Sequence, residues 1–184
     1  MSEGITIAIS GPHGAGKSTL ARKVAKHFGL RYISAGTLFR RMAEKLRMDL
    51  SEFSKYAEEH PEVDRKIDEM TVEEAKKKNV VLDGRITAWI AKEYADLKIL
   101  LTAPLEVRVK RIAERDGLEY SSALSETLVR EQSESERFKK LYNINVMDLT
   151  LFDIVINTSK FSKECCERIL MDAIEGFLRG RGRE

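Results

Sequence analysis

The sequence predicts an α/β fold in which helices flank a five-stranded parallel sheet. Short apolar runs with the length of buried strands recur along the 184 residues. Longer, charged stretches with helical spacing separate these runs, and strands that alternate with helices are typical of a parallel sheet. Glycine and proline stand at the junctions, where one element ends and the next begins.

The five predicted strands are runs of mainly apolar residues. They are residues 5–10, 31–34, 80–83, 97–101 and 153–157. The first predicted helix covers residues 18–28 and is followed by Gly29, a residue type that favours the end of a helix. Pro104 follows the fourth strand and suits the start of the next helix.

Two stretches interrupt the simple alternation. Residues 46–78 have a helical pattern throughout, with a break at His60-Pro61, and residues 116–145 form a second polar, helical region. Helical segments inserted above a rigid sheet are where mobile lids are found. We therefore expect one domain over residues 1–184, with an inserted segment at about 36–78 and a lid at about 116–145.

The composition limits the classes of partner. The net charge of +2 gives no case for a nucleic-acid binder, and no apolar run reaches the ~18–20 residues of a membrane span. The first ten residues lack the pattern of a signal peptide. The adjacent Cys165 and Cys166 have no partners at the spacing of a metal site. We expect a cytoplasmic monomer that binds neither membranes nor nucleic acid.

The strongest motif lies between the first strand and the first helix. The segment Gly11-Pro-His-Gly-Ala-Gly-Lys-Ser18 matches G-x-x-x-x-G-K-[ST], a phosphate-binding P-loop, and so predicts a three-layer P-loop NTPase fold. Its backbone N–H groups and the helix N-terminus bind phosphates, Lys17 reaches the β- and γ-phosphates, and Ser18 ligates Mg²⁺. We interpret His13 as a neutral polar loop residue. The predicted ATP-binding residues of this segment are Gly11, Pro12, His13, Gly14, Ala15, Gly16, Lys17, Ser18 and Thr19.

Arginines follow the other strands of the predicted sheet. Phosphoryl transfer needs positive charge on donor, acceptor and transferring group, and arginine supplies it in a planar, bidentate form. Ligands of open α/β sheets bind at the carboxyl ends of the strands. The arginines in question are Arg40, Arg85, Arg108, Arg111 and Arg115, with Arg130 and Arg137 in the polar helical region.

The segments that carry these arginines resemble those of the P-loop nucleoside-monophosphate (NMP) kinases. Ser34-Ala-Gly-Thr-Leu-Phe-Arg40 is similar to their acceptor segment, and Val81-Leu-Asp-Gly-Arg85 to a second segment that grips the acceptor phosphate. The resemblance implies that residues 36–78 form an NMP-binding insert. The NMP-binding residues that it implies are Ser34, Gly36, Arg40, Asp83, Gly84 and Arg85.

The same resemblance implies roles on the donor side. Arg111 would stack on adenine, and Arg115 would approach the phosphates of ATP. The catalytic residues that it implies are Lys17, Arg85 and the two lid arginines, Arg130 and Arg137. For Asp83 three interpretations stay open: it holds Mg²⁺ through a water molecule, contacts the acceptor nucleotide, or caps the turn before Gly84.

Within the family, several longer segments resemble the archaeal type of cytidylate kinase. They are residues 33–36, 52–59, 83–89 and 153–159. This resemblance implies an ATP-dependent, Mg²⁺-requiring transfer of phosphate to CMP or dCMP, giving CDP or dCDP. One departure is residues 133–136, Ser-Glu-Ser-Glu, where bacterial relatives carry a denser group of arginines.

Three other functions share parts of the pattern. A P-loop kinase for another monophosphate or small molecule differs only in the acceptor pocket. A nucleotide-binding switch protein usually needs a guanine-reading N-K-x-D segment, which residues 157–160, Asn-Thr-Ser-Lys, do not match. The near-neutral charge argues against a nucleic-acid-associated ATPase.

Overall fold

A computed structural model, which describes residues 4–181, contains a five-stranded parallel sheet in the order β2-β3-β1-β4-β5. The strands are β1 (Thr6–Ser10), β2 (Arg31–Ser34), β3 (Val80–Asp83), β4 (Leu97–Thr102) and β5 (Ile154–Asn157). This confirms the predicted α/β fold, and each strand bound lies within one residue of its prediction. The two ends of the predicted domain, residues 1–3 and 182–184, lie outside the described residues.

Eight helices occur in the described part of the chain. They are α1 (Lys17–His27), α2 (Ala35–Leu46), α3 (Leu50–Glu59), α4 (Glu62–Lys76), α5 (Thr87–Ile90), α6 (Leu105–Asp116), α7 (Tyr120–Tyr142) and α8 (Lys163–Arg181). Among residues 4–181, none of them combines the length and the apolarity needed to cross a membrane. The predicted break at His60-Pro61 separates α3 from α4, because proline cannot continue a helix that precedes it.

The core lies on both faces of β1, which is the central strand. Ile7 and Ile9 are fully buried on one face, against α1 and α8. On the other face, Ala8 packs against small side chains of α4 and α5, such as Ala75 and Ala88. A central parallel strand covered on both faces is buried along its whole length, as β1 is, and its three middle residues are apolar.

The sheet order brings three loops to one edge. β1 and β4 are neighbours in the sheet, but the chain continues from β1 to β2 on one side and from β4 to β5 on the other. The loops after β1 and β4 therefore diverge and leave a crevice between them. Asp83 ends β3 and is in register with Ile9 of β1 and Ser34 of β2. The P-loop and the segments after β2 and β3 therefore meet at the carboxyl edge of the sheet.

Two helical units stand over that edge. Helices α2, α3 and α4 enclose their own small core around Phe39, Phe53 and Ile67. Helix α7 contacts α6 at its beginning and α3 further along. The long helix thus spans from the P-loop side of the crevice to the α2–α4 unit.

Candidate active site

The P-loop has the backbone shape of a phosphate cradle. Gly11, Gly14 and Gly16 all have positive φ angles, and a Cβ on Gly14 would lie 2.5 Å from the carbonyl oxygen of Arg108. Helix α1 begins directly at Lys17, and no side chain caps its first turn. The free N–H groups of that turn and the helix dipole form an anion-binding site.

Lys17 lies inside this cradle and is partly buried. Its Nζ donates a hydrogen bond to the Pro12 carbonyl oxygen at 2.8 Å. Burial lowers the pKa of Lys17 to about 8, an effect that the Asp83 carboxylate opposes and the Arg85 guanidinium reinforces. The side chain is therefore a charged group that titrates close to neutral pH.

This titration predicts a pH dependence of ATP capture. We expect kcat/KM for ATP to fall as the pH rises above about 8, because the amine whose pKa is lowered loses there the proton that binds phosphate. When ATP is saturating, the negative charge of its phosphates raises the pKa of Lys17 and keeps the amine protonated. The value of kcat/KM for the acceptor should therefore stay constant to higher pH. Steady-state kinetics from about pH 6 to about pH 10 compare the two profiles. An equal decline of both would contradict the assignment to Lys17.

Asp83 lies beside the P-loop rather than over its own turn. Its Oδ2 accepts hydrogen bonds from Ser18 Oγ at 2.6 Å and from Tyr32 Oη at 2.7 Å. The N–H of Gly84 donates instead to the carbonyl oxygen of Ile9. The interpretation of Asp83 as a cap of the turn is therefore wrong. The contact with Tyr32 was not predicted, because nothing in the sequence links the two positions.

The segment after β2 builds the acceptor side. Ser34 is buried and caps α2, since its Oγ accepts the N–H of Thr37 at 3.2 Å. Arg40 donates from Nη2 to Thr37 Oγ1 at 3.2 Å and is otherwise exposed to the cavity. At Gly84, a Cβ would lie 3.0 Å from that of Ala35, so the turn after β3 packs closely on the start of α2.

Arg85 and Arg130 are partly buried arginines whose Nε atoms are buried donors without an acceptor. Among the described residues, no group accepts a hydrogen bond from Nε of either side chain. The nearest anion to Arg85 is Glu134, whose Oε2 lies 3.8 Å from Arg85 Nε and is itself without a donor. Buried donors without partners are rare in native proteins, and here they fit an anionic ligand.

His13 joins the P-loop to α7. Its Nε2 lies 2.8 Å from Glu134 Oε1, and its backbone N–H donates to Glu131 Oε1 at 3.2 Å. Burial lowers the pKa of His13, against the opposing effect of the Glu134 carboxylate. The ring is therefore neutral near pH 7, in line with the interpretation from the sequence, and it is partly buried in contact with α7.

Arg108 ties α6 to the same region. Its guanidinium binds both carboxylate oxygens of Glu131, at 2.6 and 3.2 Å, and the carbonyl oxygen of His13 at 2.9 Å. Sequence reasoning missed Glu131 and Glu134. The available signal was their spacing of three, which places both carboxylates on one face of α7.

We expect Arg108→Met to lower the free energy of unfolding by about 3 kcal/mol, because it leaves the Glu131 carboxylate without its buried partner. Arg115→Met is the matched control on α6. Within residues 4–181, Arg115 forms an ion pair only with Asp116 at the surface, where its side chain is 64% exposed, and such pairs contribute about 0–1 kcal/mol. Urea unfolding measures both changes, and similar values for the two variants would contradict the role of Arg108.

Arg111 lies between the P-loop and the loop after β5. It donates to Thr158 Oγ1 at 2.9 Å and to the Thr158 carbonyl oxygen at 3.0 Å, while Thr158 Oγ1 donates to the carbonyl of Ala15 at 3.1 Å. The stacking of Arg111 on adenine stays a prediction. Arg115 is held by Asp116 at the rim of the cavity.

The two predicted lid arginines have different surroundings. Arg130 keeps a free Nε, whereas Arg137 donates from Nε to Asp64 Oδ2 at 2.7 Å and from Nη1 to Ser133 Oγ at 2.6 Å. Arg137 is only 5% exposed. The structure therefore places Arg137 against α4, two turns of α7 away from Arg130.

One cavity of about 700 Å³ unites most of these groups. A cavity of this size suits small-molecule ligands. Gly11 and Pro12 do not line it, and their role in ATP binding stays a prediction. Gly11 packs on the Leu101 carbonyl, and the Pro12 carbonyl accepts a hydrogen bond from Lys17. The predicted site residues that line the cavity are His13, Gly14, Ala15, Gly16, Lys17, Ser18, Thr19, Ser34, Gly36, Arg40, Asp83, Gly84, Arg85, Arg111, Arg115, Arg130 and Arg137.

Comparison with known proteins gives close relatives along most of the chain. The model of the cytidylate kinase-like family matches residues 6–160. A cytidylate kinase of Staphylothermus marinus is 50% identical over 175 residues, which cover 95% of this chain and 99% of that protein. A cytidylate kinase of Methanocaldococcus jannaschii is 45% identical, with 94% and 99% covered.

Solved structures share the fold at low sequence identity. A protein of Eubacterium ventriosum superposes with a TM-score of 0.70 at 18% identity, covering 93% of this chain and 98% of that one. Shikimate kinase from Bacteroides thetaiotaomicron gives a TM-score of 0.56 at 16% identity, with 94% and 99% covered. At such identities the likeness concerns the fold alone.

Proposed function

Because the chain belongs to the cytidylate kinase-like family, we propose that it transfers the γ-phosphoryl group of ATP to CMP or dCMP, giving CDP or dCDP. The observation that carries this proposal is the pair of partly buried arginines, Arg85 and Arg130, whose buried Nε atoms have no acceptor among the described residues and whose side chains line the same cavity as Lys17. The P-loop binds the phosphates of one ligand, and arginines with unused donors in the same cavity can bind the phosphate of a second ligand beside it.

ATP binds through the P-loop in this proposal. The N–H groups at the start of α1 hold the phosphates, and Lys17 gives up its contact with Pro12 to reach the β- and γ-phosphates. Arg111 and the loop that contains Thr158 stand beside the P-loop, where they can flank the adenine. The exposed Arg115 exchanges its surface contact with Asp116 for the phosphates of ATP.

The oxygens near Ser18 fit a magnesium ion. The Ser18 hydroxyl and the Asp83 carboxylate are hard oxygen donors that touch at 2.6 Å. Residues 4–181 contain no group of three or more His, Cys, Asp or Glu side chains able to hold a metal ion. This suits Mg²⁺, which enters such sites with phosphates and waters as its other ligands. When bound with ATP, it neutralises charge on the β- and γ-phosphates.

The acceptor occupies the side of the cavity next to α2 and α4. Arg40 and Arg85 hold its phosphate, with the start of α2 at Ser34 and Gly36 beside it. We assign acceptor binding to the segment at about 36–78 and the lid function to residues of about 116–145. The lid contains Arg130, whose buried and unpartnered Nε faces an anion once both ligands are bound.

Transfer needs positioning more than proton abstraction. An oxygen of the acceptor phosphate attacks the γ-phosphorus in line, the bond from that phosphorus to the β–γ bridging oxygen breaks, and ADP leaves. The attacking oxygen is already an anion, so no strong base is required. Lys17, Arg85 and Arg130 neutralise the charge that develops, and closure of α7 over the site excludes water as a competing acceptor.

The loop after β5 does not support a guanine-binding switch. The Asn157 side-chain oxygen accepts hydrogen bonds from the backbone N–H and the hydroxyl of Ser159, at 3.0 and 2.7 Å. It is thus occupied within its own turn.

A coupled assay of ADP release with a panel of acceptors tests the proposal. The panel contains CMP, dCMP, UMP, AMP, GMP and shikimate, each with ATP and Mg²⁺, beside a reaction without acceptor. We expect rapid ADP release with CMP and dCMP. If only shikimate increases ADP release, shikimate replaces CMP and dCMP as the assigned acceptor. If no acceptor increases ADP release above the reaction without acceptor, the kinase assignment is wrong.

A further inference from the structure

The far end of the cavity contains charged groups that phosphate binding leaves unused. This end is formed by α2, α4 and the second half of α7. The residues that line it are Phe39, Asp64, Ile67, Asp68, Arg137 and Phe138. Apolar walls with a few fixed polar groups are typical of a site that recognises the flat, hydrogen-bonding edge of a base.

Two carboxylates lie on the inner face of α4. Asp64, Ile67, Asp68 and Thr71 follow the spacing i, i+3, i+4 and i+7, which places them on one side of the helix. Ile67 and Thr71 are buried members of this face. A carboxylate in such a position is costly unless it has partners, so both aspartates call for an explanation.

Asp64 already has its partner. It is buried and accepts the Nε–H of Arg137 at 2.7 Å, and Arg137 in turn donates to Ser133 and to the carbonyl of Ser54. The Arg137 guanidinium also lies over the rings of Phe39 and Phe138. The pair is therefore fixed within the wall of the cavity.

Asp68 has no cationic partner among residues 4–181. Its Oδ2 accepts a hydrogen bond from Tyr142 Oη at 2.6 Å, and the described residues offer no second donor. Burial, reinforced by the nearby Asp64, raises the pKa of Asp68 to about 7. The side chain thus presents an acceptor to the cavity whose hydrogen-bonding capacity the protein itself does not satisfy.

We propose that Asp68 selects cytosine over uracil by accepting a hydrogen bond from the exocyclic amine of the acceptor base, an inference that rests on the function proposed above. Cytosine presents an N4 amino donor where uracil presents the O4 acceptor. A carboxylate oxygen binds the first and repels the second. Sites built to hydrogen-bond one substrate group discriminate strongly against an analogue that lacks it.

A variant of Tyr142 distinguishes base recognition by Asp68 from a purely structural role of Asp68. Its hydroxyl joins the end of α7 to α4 through Asp68, so a change at either residue would loosen the same contact. Asp68→Asn keeps an oxygen for Tyr142 but turns an amide N–H₂ toward the base, which favours O4 of uracil. Tyr142→Phe removes the contact between the helices and leaves the carboxylate in place.

The test compares kcat/KM for CMP, for UMP and for the pyrimidin-2-one nucleotide, which has hydrogen in place of the amine. The wild-type enzyme should prefer CMP to the other two by about 100-fold or more, a ratio that Tyr142→Phe should leave within about threefold. In the Asp68→Asn variant, the preference for CMP over UMP should fall by about 100-fold. The kcat/KM values of this variant for CMP and for the pyrimidin-2-one nucleotide should be nearly equal.

Other outcomes overturn the proposal in distinguishable ways. If Asp68→Asn keeps the wild-type preference, or Tyr142→Phe loses it equally, Asp68 does not read the base. A wild-type enzyme that uses the pyrimidin-2-one nucleotide or UMP as well as CMP overturns the role of Asp68 without any variant and leaves the kinase activity standing. A wild-type enzyme that phosphorylates none of them overturns this inference together with the proposed function.

Discussion

Lys17→Met is expected to lower kcat by about 1000-fold, because it removes a charged donor aimed at the phosphates in a buried site. Lys17 is enclosed by the P-loop, with its Nζ at 2.8 Å from the Pro12 carbonyl. Methionine has a similar length and no charge, so the cradle keeps its shape. The loss should appear in kcat as well as in kcat/KM, since the charge on the γ-phosphate oxygens rises in the transition state.

Lys26→Met is the matched control on the same helix. Lys26 is exposed and does not line the cavity, so its replacement should leave kcat within about twofold of the wild type. Thermal unfolding of both variants separates loss of chemistry from loss of fold. A Lys17→Met enzyme that is folded and retains more than about a tenth of wild-type kcat would remove Lys17 from the mechanism.

Arg85→Ala should lower kcat/KM for CMP by about 1000-fold while KM for ATP changes by less than about threefold. Arg85 is partly buried at the turn after β3, and its buried Nε has no acceptor within the described residues. It is therefore available to the acceptor phosphate and to the transferring group. Arg85→Lys keeps the charge but loses the bidentate fork, so it should recover only part of the activity.

Arg41→Ala controls for the loss of an arginine near the acceptor segment. Arg41 lies on α2 beside Arg40, but it is exposed and outside the cavity. Its removal should change kcat/KM for CMP by less than about twofold. Equal losses of ATP and CMP affinity in Arg85→Ala would indicate a collapsed cavity rather than a lost acceptor contact.

The sequence was most informative where a local pattern determines the structure. The strand at residues 80–83 is a short run of three apolar residues that ends at Asp83, and the P-loop carries its own turn and helix start in eight residues. Helix α5 was missed because its four residues are too few for a helical period to be recognised.

The partners of the site residues escaped prediction because they are distant along the chain. His13 and Glu134 are separated by 121 positions, and Arg137 and Asp64 by 73. No periodicity or spacing links such positions, and only the packing of α7 across the crevice brings them together. This is why the arginines were recognised from the sequence, whereas the carboxylates that orient them were not.

The cations of the site lie near carboxylates, and this affects how they bind phosphate. Carboxylates lie near cations in the wall of the cavity: Asp83 opposes the lowering of the Lys17 pKa, and Asp64 forms an ion pair with Arg137. Such neighbours favour the charged form of a cation in a site that excludes water, although burial still lowers the pKa of Lys17. The free Nε atoms of Arg85 and Arg130 are then the points at which phosphate oxygens complete the network.

The most direct test of the central claim is product analysis of a mixture of ATP, Mg²⁺ and CMP by ³¹P NMR. If the chain transfers the γ-phosphoryl group to the monophosphate, CDP and ADP appear together in equal amounts, and neither forms when CMP or the protein is left out. ADP and inorganic phosphate without CDP would show hydrolysis instead of transfer, and the account of two phosphate-bearing ligands in one cavity would be wrong.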